Sequence, residues 1–214
     1  MIQRFSFFVA LFLVWGCTHQ PLRSYPDHWW TPVQPALKKS WEILPQEADR
    51  SKNEVILSKR NELGLLSNFA ATPFVLDGKR YASLEGFWQM LKYPERGDAK
   101  WRSQVQWPYT REQVGQMVGH KAKKAGDFAS LAMKKHQWDW VSYNHIKMIY
   151  KEAGSSPFYV LIRRAMQAKL EQNPKVKEVL IATKGLRLKP DHKQNPDSPK
   201  AWKYFDIWME IRDQ

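Results

Sequence analysis

The segments of this chain that have strand-like sequences are short, which limits the size of any sheet that the chain can form. They cover residues 54–57, 74–76 and 79–81, with three or four residues each, whereas an average strand has about five or six. Asp77 and Gly78 lie between the second and the third segment, and this pair favours the tight turn of a hairpin. The chain is therefore predicted to form a small antiparallel sheet.

Most of the remaining pattern is helical. Ser83 is a favourable N-cap for a helix over residues 84–93, and Pro94 ends this helix because proline cannot continue it. Other segments with helical spacing of apolar residues, or with helix start and stop signals, cover 111–135 (one or two helices around Gly119), 138–151, 157–173, 176–182 and 201–212. This pattern indicates an α+β fold, a helix-rich single domain with a small antiparallel sheet.

Composition excludes several classes of protein. With 43% hydrophobic residues the chain cannot be disordered throughout. Its single cysteine excludes both an intramolecular disulfide framework and a zinc site with several cysteines. The histidines lack the spacing of metal ligands, and no dinucleotide-binding, phosphate-loop or zinc-protease motif is present. We therefore expect no metal and no cofactor.

The chain is basic, with 34 Lys and Arg against 21 Asp and Glu, a net charge of +13 and a pI near 9.8. Such a balance is compatible with binding to nucleic acid, to an anionic lipid surface or to a phosphorylated small molecule. It is equally compatible with a surface that only keeps the protein soluble. No RNA-binding or zinc-finger signature accompanies the lysines, so charge by itself does not choose among these partners.

The N-terminus has the pattern of a bacterial export signal. Residues 1–16 contain Arg4, an apolar run too short to span a bilayer comfortably, and a small residue before Cys17. The residues around this cysteine are similar to a lipobox, where a lipoprotein is cleaved and lipidated; Trp15 departs from that pattern, which leaves a plain signal peptide or an uncleaved anchor as alternatives. The expected location is the cell envelope, lipid-anchored and facing the periplasm or the exterior. Thr18, in place of aspartate, favours the outer membrane in a Gram-negative cell.

Residues 17–50 carry five prolines, and proline at this density disfavours regular structure. We predict a tether here, between the lipidated end and a domain over residues 51–214. Trp29, Trp30 and Trp41 lie in the same segment, and large apolar side chains are costly in a free linker. Part of the tether is therefore expected to wrap onto the domain.

A candidate site lies on the helix predicted after Ser83. Glu85, Gln89 and Lys92 have the spacing i, i+4, i+7 and share one face of this helix. Glu85 lies in the first turn, where the helix dipole favours an ionised carboxylate; such a group can stabilise an oxocarbenium ion or activate a water molecule. Lys92 can hold a phosphate in the same cleft. The spacing alone favours an ordinary capping acid and a solvated lysine over a catalytic pair.

Residues 64–92 resemble the opening segment of the NADAR (YbiA-like) family, roughly F-S-N-F-x-x-x-P-(F/I)-x-x-D-G-x-x-(W/Y)-x-(S/T)-x-E-H-x-(F/Y)-Q-A-x-K. The matching residues are Ser67, Asn68, Phe69, Pro73, Asp77, Gly78, Tyr81, Ser83, Glu85, Gln89 and Lys92. Later parts of the family pattern are similar to residues 117–119, 164–174, 180–183 and 208–212. The likeness covers about residues 54–212 and implies a YbiA-like α+β fold.

The resemblance implies an N-glycosidase, a hydrolase that acts on phosphoribosyl-type intermediates of riboflavin synthesis or removes ADP-ribose from guanine in nucleic acid. It implies that Glu85 is the catalytic carboxylate, that Lys92 is an active-site cation, and that Asn68, Trp88 and Gln89 bind the substrate. The expected partners are thus a nucleotide-like or ADP-ribosylated substrate, nucleic acid as a further candidate, and a membrane through the lipidated N-terminus. Breaking the glycosidic bond builds positive charge on the ribose, which a nearby carboxylate stabilises.

The chain departs from the family pattern at two places. Gly86 stands where the family has a histidine after the catalytic glutamate, and glycine inside a helix costs roughly 1 kcal/mol relative to alanine, which indicates that the space is needed. Residues 191–200 are rich in proline and lysine where the family has a Gly-rich loop. One alternative is therefore a membrane-tethered, catalytically inactive lipoprotein that binds a nucleotide or ADP-ribose. Another is a basic module that binds nucleic acid or the anionic envelope.

Overall fold

The computed structural model describes residues 24–214, except for the side chains of residues 99, 101 and 102. The predicted signal over residues 1–16, the predicted lipidation site Cys17 and the first residues of the predicted tether lie outside the described residues. Within the described range, no helix combines the length and the apolar character needed to cross a membrane.

The described chain forms α-helices of 5 to 17 residues and strands of three or four residues. The α-helices are α1 (Leu84–Met90), α2 (Ala99–Gln104), α3 (Arg111–Gly115), α4 (Gly119–Lys135), α5 (Pro157–Gln172), α6 (Pro174–Ala182) and α7 (Tyr204–Arg212). The strands are β1 (Glu54–Ile56), β2 (Phe74–Leu76), β3 (Lys79–Tyr81), β4 (Trp140–Tyr143), β5 (Ile146–Ile149) and β6 (Arg187–Lys189). Single 3-10 turns cover Asp27–Trp30, Pro35–Leu37, Pro45–Glu47, Arg50–Lys52, Glu62–Leu66 and Lys200–Trp202.

The strands pair two by two. β2 and β3 form the predicted antiparallel hairpin, with Asp77 and Gly78 at φ 49° and 75° in its turn. β4 and β5 form a second antiparallel hairpin. β1 pairs with β6 in parallel, with Val55 opposite Leu188, whereas an antiparallel sheet was expected throughout. The predicted α+β fold is confirmed, and the antiparallel part consists of two separate hairpins.

The helix predicted over residues 138–151 is wrong, because this segment forms the β4–β5 hairpin. Val141 and Tyr143 are buried in β4, and β-branched and aromatic residues favour strands. Asn144 and His145 make the turn at φ 50° and 64°. Two consecutive left-handed residues are incompatible with a helix and match the twist of a two-residue hairpin turn.

The other predicted helices are present. The segment 111–135 divides into α3 and α4 at Gly119, whose φ is 55°, and α5 begins at Pro157 after the cap Ser156. α1 ends at Met90, earlier than predicted, and α7 begins only at Tyr204 because a separate 3-10 turn precedes it. α2 was not predicted.

α1 is a completely buried helix, since all seven of its residues are buried. It packs against α3, α4 and α5. Leu84 and Phe87 belong to the hydrophobic core, and burial of such an apolar face supplies most of the stability of a short helix. Glu85 and Gln89 lie on the remaining face and line a cavity between α1 and α4.

The described part of the predicted tether packs on the domain. Trp29 is 1% exposed, and its indole Nε1 donates a hydrogen bond of 2.6 Å to Glu62. The Nε1 of Trp30 donates to the carbonyl of Glu54 at 2.9 Å. These contacts agree with the expectation that the tryptophans hold part of this segment against the domain. Trp41 is different, because 41% of its surface remains exposed.

Candidate active site

The start of α1 is held by hydrogen bonds on both sides. The hydroxyl of Ser83 accepts from the backbone N–H of Gly86 at 2.9 Å and donates to the carbonyl of Met117 at 2.8 Å. The backbone N–H of Glu85 donates to the carbonyl of Asn68 at 2.8 Å. The predicted N-cap is therefore confirmed, and it ties the first turn of α1 to two neighbouring segments.

Glu85 is buried, with 6% of its surface exposed. The side-chain amide of Gln89 donates to Glu85 Oε1 at 2.8 Å. Burial raises the pKa of Glu85 above its ordinary value, although the hydrogen bond from Gln89 and the charge of Lys92 both oppose this shift. The helix dipole was expected to favour the ionised form, and desolvation outweighs it. A carboxyl group with a raised pKa is suited to accept and release a proton nearer neutral pH.

Lys92 lies in the turn that follows α1, two residues beyond Met90, and it is 4% exposed. Its Nζ donates to Ser130 Oγ on α4 at 2.9 Å and lies 5.1 Å from the centre of the Tyr150 ring. Burial lowers the pKa of Lys92 to about 8, and the charge of Glu85 opposes the shift. The ammonium group therefore remains mostly protonated at neutral pH, in surroundings that would favour a bound anion.

A glycine on α4 makes room for the Gln89 side chain. A Cβ atom at Gly126 would lie only 1.8 Å from Gln89 Oε1, so alanine cannot replace this glycine while Gln89 keeps its position. Gln89 Oε1 is buried and finds no hydrogen-bond partner among the described residues. An acceptor left unpaired beside a cavity is available to a ligand, because burying it unpaired is costly. No sequence pattern pointed to this role of Gly126.

The five residues predicted to contact the substrate meet at one cavity of about 1040 Å³. Asn68, Glu85, Trp88, Gln89 and Lys92 all line it. Pockets for small molecules typically have about 300–1,000 Å³, so this cavity is large enough for a nucleotide-sized ligand. The spacing of Glu85, Gln89 and Lys92 and the family resemblance together identified residues that share a cavity, while their chemical roles remain predictions.

Trp88 forms part of the cavity wall, and aromatic neighbours hold its ring in place. Its ring packs edge-on against Phe158, with centroids 5.1 Å apart, and its Nε1 donates to the hydroxyl of Tyr150 at 3.1 Å. With 9% of its surface exposed, Trp88 offers a ligand only a small part of its ring. Tyr150, which the sequence analysis did not select, also lines the cavity.

Lysines surround the cavity. Besides Lys92, the cationic side chains that line it are Lys59, Lys123, Lys134 and Lys151, against the carboxylates Glu85, Asp127 and Asp139. Lys123 and Asp127 pair with each other at 2.5 Å, while Lys59 pairs with Asp191 below the surface. An excess of cations around a concave surface attracts phosphate groups.

The segment in the place of the Gly-rich loop forms one side of the cavity. Asp191 is 1% exposed; its carboxylate accepts from Lys59 Nζ at 2.5 Å and contacts His192 Nδ1 at 3.1 Å. Burial by itself would raise the pKa of Asp191, but His192 and Lys59 hold it below the ordinary value. His192 and Gln194 line the cavity. Within residues 191–200, which contain no glycine, His192 and Gln194 thus form part of the cavity wall.

Two further polar groups at the same side lack partners. The indole N–H of Trp202 and the hydroxyl of Tyr204 are buried, and neither finds a hydrogen-bond partner among residues 24–214. Both residues line the cavity. Burial raises the pKa of Tyr204 well above its ordinary value, so this hydroxyl keeps its proton and remains a donor. No sequence pattern indicated that Trp202 and Tyr204 would place unpaired polar groups at the cavity.

A buried lysine supports the loop that carries Asn68. Lys169 on α5 is fully buried, and its Nζ donates to the carbonyl of Ser67 at 2.9 Å. The Nζ also lies 5.7 Å from the centre of the Trp208 ring. Burial lowers the pKa of Lys169 to about 7, because no carboxylate compensates its charge. Lys169 therefore links the core to a cavity-lining segment.

The low pKa of Lys169 predicts a pH-dependent stability. Between about pH 7 and the unfolded-state pKa of about 10.4, the unfolded chain binds a proton that the folded chain does not, so stability rises with pH. We expect the free energy of unfolding of the wild type, minus that of Lys169→Met, to increase by about 2 kcal/mol between about pH 7.5 and 9.5. Urea unfolding at each pH measures this difference. The exposed Lys177→Met is the matched control and should show a flat difference; a flat difference for Lys169→Met as well would show that Lys169 stays charged.

The comparisons with known proteins give one likeness. No model of a known protein family matches the sequence, and no curated protein matches it. Among solved structures, the fold is similar to the NMR structure of the E. coli protein YbiA, with 18% sequence identity and a TM-score of 0.40 over 76% of this chain and 84% of that chain. A likeness of this degree concerns the chain trace and carries no information about activity.

Proposed function

We infer that the chain is an N-glycosidase that hydrolyses an N-glycosidic bond of an ADP-ribosyl or phosphoribosyl-type substrate. The observation that supports this most directly is the position of Glu85, a buried carboxyl group that lines a large cavity together with Lys92, which follows the end of α1. The sequence motif of residues 64–92 also supports it, because Glu85 and Lys92 belong to the segment that resembles the NADAR family.

In the proposed reaction, Glu85 has two roles: it stabilises the positive charge on the ribose, and it accepts a proton from the attacking water molecule. As the carbon–nitrogen bond at C1′ lengthens, positive charge develops on the sugar, and the ionised form of Glu85 stabilises it. The same carboxylate accepts a proton as water forms the new C1′–oxygen bond, and the leaving nitrogen takes up that proton at the end of the cycle. Gln89 orients the carboxylate through its hydrogen bond.

Lysines and aromatic rings supply the binding energy in this proposal. Lys92 has a protonated amine at neutral pH, and a bound phosphate would favour this charge further. Lys59 and Lys151 line the same cavity. Aromatic side chains such as Tyr150 can contact the base through their ring faces. The free N–H of Trp202 is a donor for a phosphate or ribose oxygen.

The test is a turnover assay of the purified chain on two substrates, an ADP-ribosylated guanine oligonucleotide and a ribosylaminopyrimidine phosphate. We expect free ADP-ribose or ribose phosphate to be released from at least one of them, measured by mass spectrometry, with heat-denatured protein as the blank. A folded preparation that releases neither product would contradict the proposed activity.

The second candidate function is a binding protein without hydrolysis, and the burial of Glu85 favours it. A carboxyl group whose pKa is raised far enough stays neutral and cannot stabilise an oxocarbenium ion. Calorimetry together with the turnover assay separates the two candidates. Binding of ADP-ribose without turnover would support the binding protein, whereas the absence of both binding and turnover would contradict both functions.

A further inference from the structure

Burial in the core does not explain why a tryptophan stands at position 41. Trp29 and Trp30 in the same segment are buried, whereas Trp41 is 41% exposed and lines the cavity together with Phe69. An exposed tryptophan at the edge of a concave site offers a planar surface for stacking. It also lies outside residues 54–212, where the family resemblance is found.

Two ammonium groups lie against this ring. Lys59 Nζ is 5.5 Å from the centre of the Trp41 ring and 5.3 Å from that of Phe69, and Lys39 Nζ is 5.8 Å from Trp41. Lys59 Nζ is also paired with the carboxylate of Asp191 at 2.5 Å, so a phosphate on a ligand ring that stacks here would meet Lys39 and would share Lys59 with Asp191. The arrangement therefore fits a planar group that carries a phosphate.

The backbone next to Trp41 is fixed by a buried ion pair. Glu42 is 7% exposed, and its carboxylate accepts from both Nε and Nη2 of Arg60 at 2.7 Å. The N–H of Ile43 donates to the carbonyl of Asp191 at 2.8 Å, which joins this segment to the neighbouring segment that carries His192. A stacking residue on such a fixed backbone loses little further freedom when a ligand binds.

We propose that Trp41, with Lys59 and Lys39, forms a second subsite that holds a planar ring and its phosphate. The substrate of the cavity is then a two-part molecule, in which a diphosphate joins this ring to the ribose that reacts near Glu85. This deepens the proposed function, on which it rests, because it selects the ADP-ribosyl type over the phosphoribosyl type. The size of the cavity, about 1040 Å³, agrees with a ligand larger than a sugar phosphate.

The test compares binding of ADP-ribose with binding of ribose 5-phosphate, measured by calorimetry on the full chain. Loss of one stacked ring is expected to weaken binding roughly tenfold or more. Trp41→Ala should therefore weaken ADP-ribose by at least about tenfold and leave ribose 5-phosphate within about twofold. Trp41→Phe should recover much of the lost affinity, because it restores a stacking face. Tyr109→Ala, which removes an exposed aromatic side chain that does not line the cavity, is the matched control and should change neither affinity.

The binding data test the second subsite, and the turnover assay tests the proposed N-glycosidase activity, so the two proposals can fail separately. If the wild type binds ADP-ribose no more tightly than ribose 5-phosphate, or if Trp41→Ala weakens both ligands equally or neither, the second subsite is overturned. Turnover by the wild type would leave the proposed activity intact in that case. Conversely, a selective loss of ADP-ribose affinity in Trp41→Ala, with no turnover by the wild type, would support the subsite and overturn the activity.

Discussion

Replacing Glu85 with glutamine is expected to lower N-glycosidic turnover by about a thousandfold, within the range for loss of a general acid or base. Glutamine keeps the size of the side chain and a carbonyl oxygen that can accept from Gln89, whose hydrogen bond to Glu85 is 2.8 Å long. It removes both the negative charge and the exchangeable proton. The chemistry should therefore be lost while the shape of the cavity is preserved.

The stability of this variant is a separate expectation. Desolvation is the largest influence on the pKa of Glu85, so its charge is costly in the folded state and the neutral glutamine avoids this cost. We expect Glu85→Gln to unfold in urea at a concentration no lower than the wild type does, and to bind ADP-ribose with similar affinity. A large loss of turnover in a folded, binding-competent variant cannot come from misfolding.

The matched control is Asp127→Asn, which removes a carboxylate that lines the same cavity but pairs with Lys123 at the surface. Its turnover should stay within a few-fold of the wild type, because a solvent-exposed ion pair contributes little.

The pH dependence of turnover gives a further check. In the wild type, the fall in rate at acidic pH should occur at a pH above the ordinary glutamate pKa, and this fall should be absent from Glu85→Gln. Turnover of Glu85→Gln within a few-fold of the wild type would exclude Glu85 as the catalytic group.

The part of the site on α1 and next to its two ends could be predicted from the sequence. Ser83, Glu85, Gln89 and Lys92 are linked by local rules of capping and helical spacing, which depend on neighbours along the chain. The structure places the last three on one cavity. Their meeting there required only that the helix form and bury its apolar face.

The remaining parts of the site come from elements far apart in sequence. Lys59 meets Asp191, and Gln89 on α1 fits against Gly126 on α4. No local pattern connects such pairs, because their proximity arises from the packing of helices and loops. The parallel pairing of β1 with β6 was missed for the same reason. The β4–β5 hairpin was missed because its turn uses Asn144 and His145 at positive φ without a glycine.

Gly86 is a position at which even the addition of one methyl group should lower stability strongly. A Cβ atom there would lie 2.4 Å from the carbonyl oxygen of Met117, 3.0 Å from that of Val114 and 3.1 Å from that of Gly115. All three are backbone atoms, which cannot rotate aside as a side chain can. This close approach of α1 to the end of α3 explains why glycine occupies the position, and it leaves no space for the histidine of the family pattern.

We expect Gly86→Ala to lower the free energy of unfolding by about 3 kcal/mol, at the upper end of the range for overpacking. Alanine is the better helix former by roughly 1 kcal/mol, so intrinsic propensity predicts the opposite sign and the contact with the backbone decides the outcome. Urea unfolding at a fixed pH measures the change. An unchanged or increased stability would show that α1 can move away from the neighbouring carbonyl groups without cost.

Gly115→Ala is the comparison that isolates the cause. Its Cβ would approach the ring of Tyr81 at 3.3 Å, a side chain that can shift by a few tenths of an ångström, so this variant should lose less stability than Gly86→Ala. The same movement that relieves the clash at Gly86 would displace Glu85, whose backbone N–H is bonded to Asn68. Turnover per folded molecule should consequently fall in Gly86→Ala and be largely retained in Gly115→Ala. Equal losses of activity in the two variants would show that the position of Glu85 does not depend on the contact between Gly86 and the carbonyl of Met117.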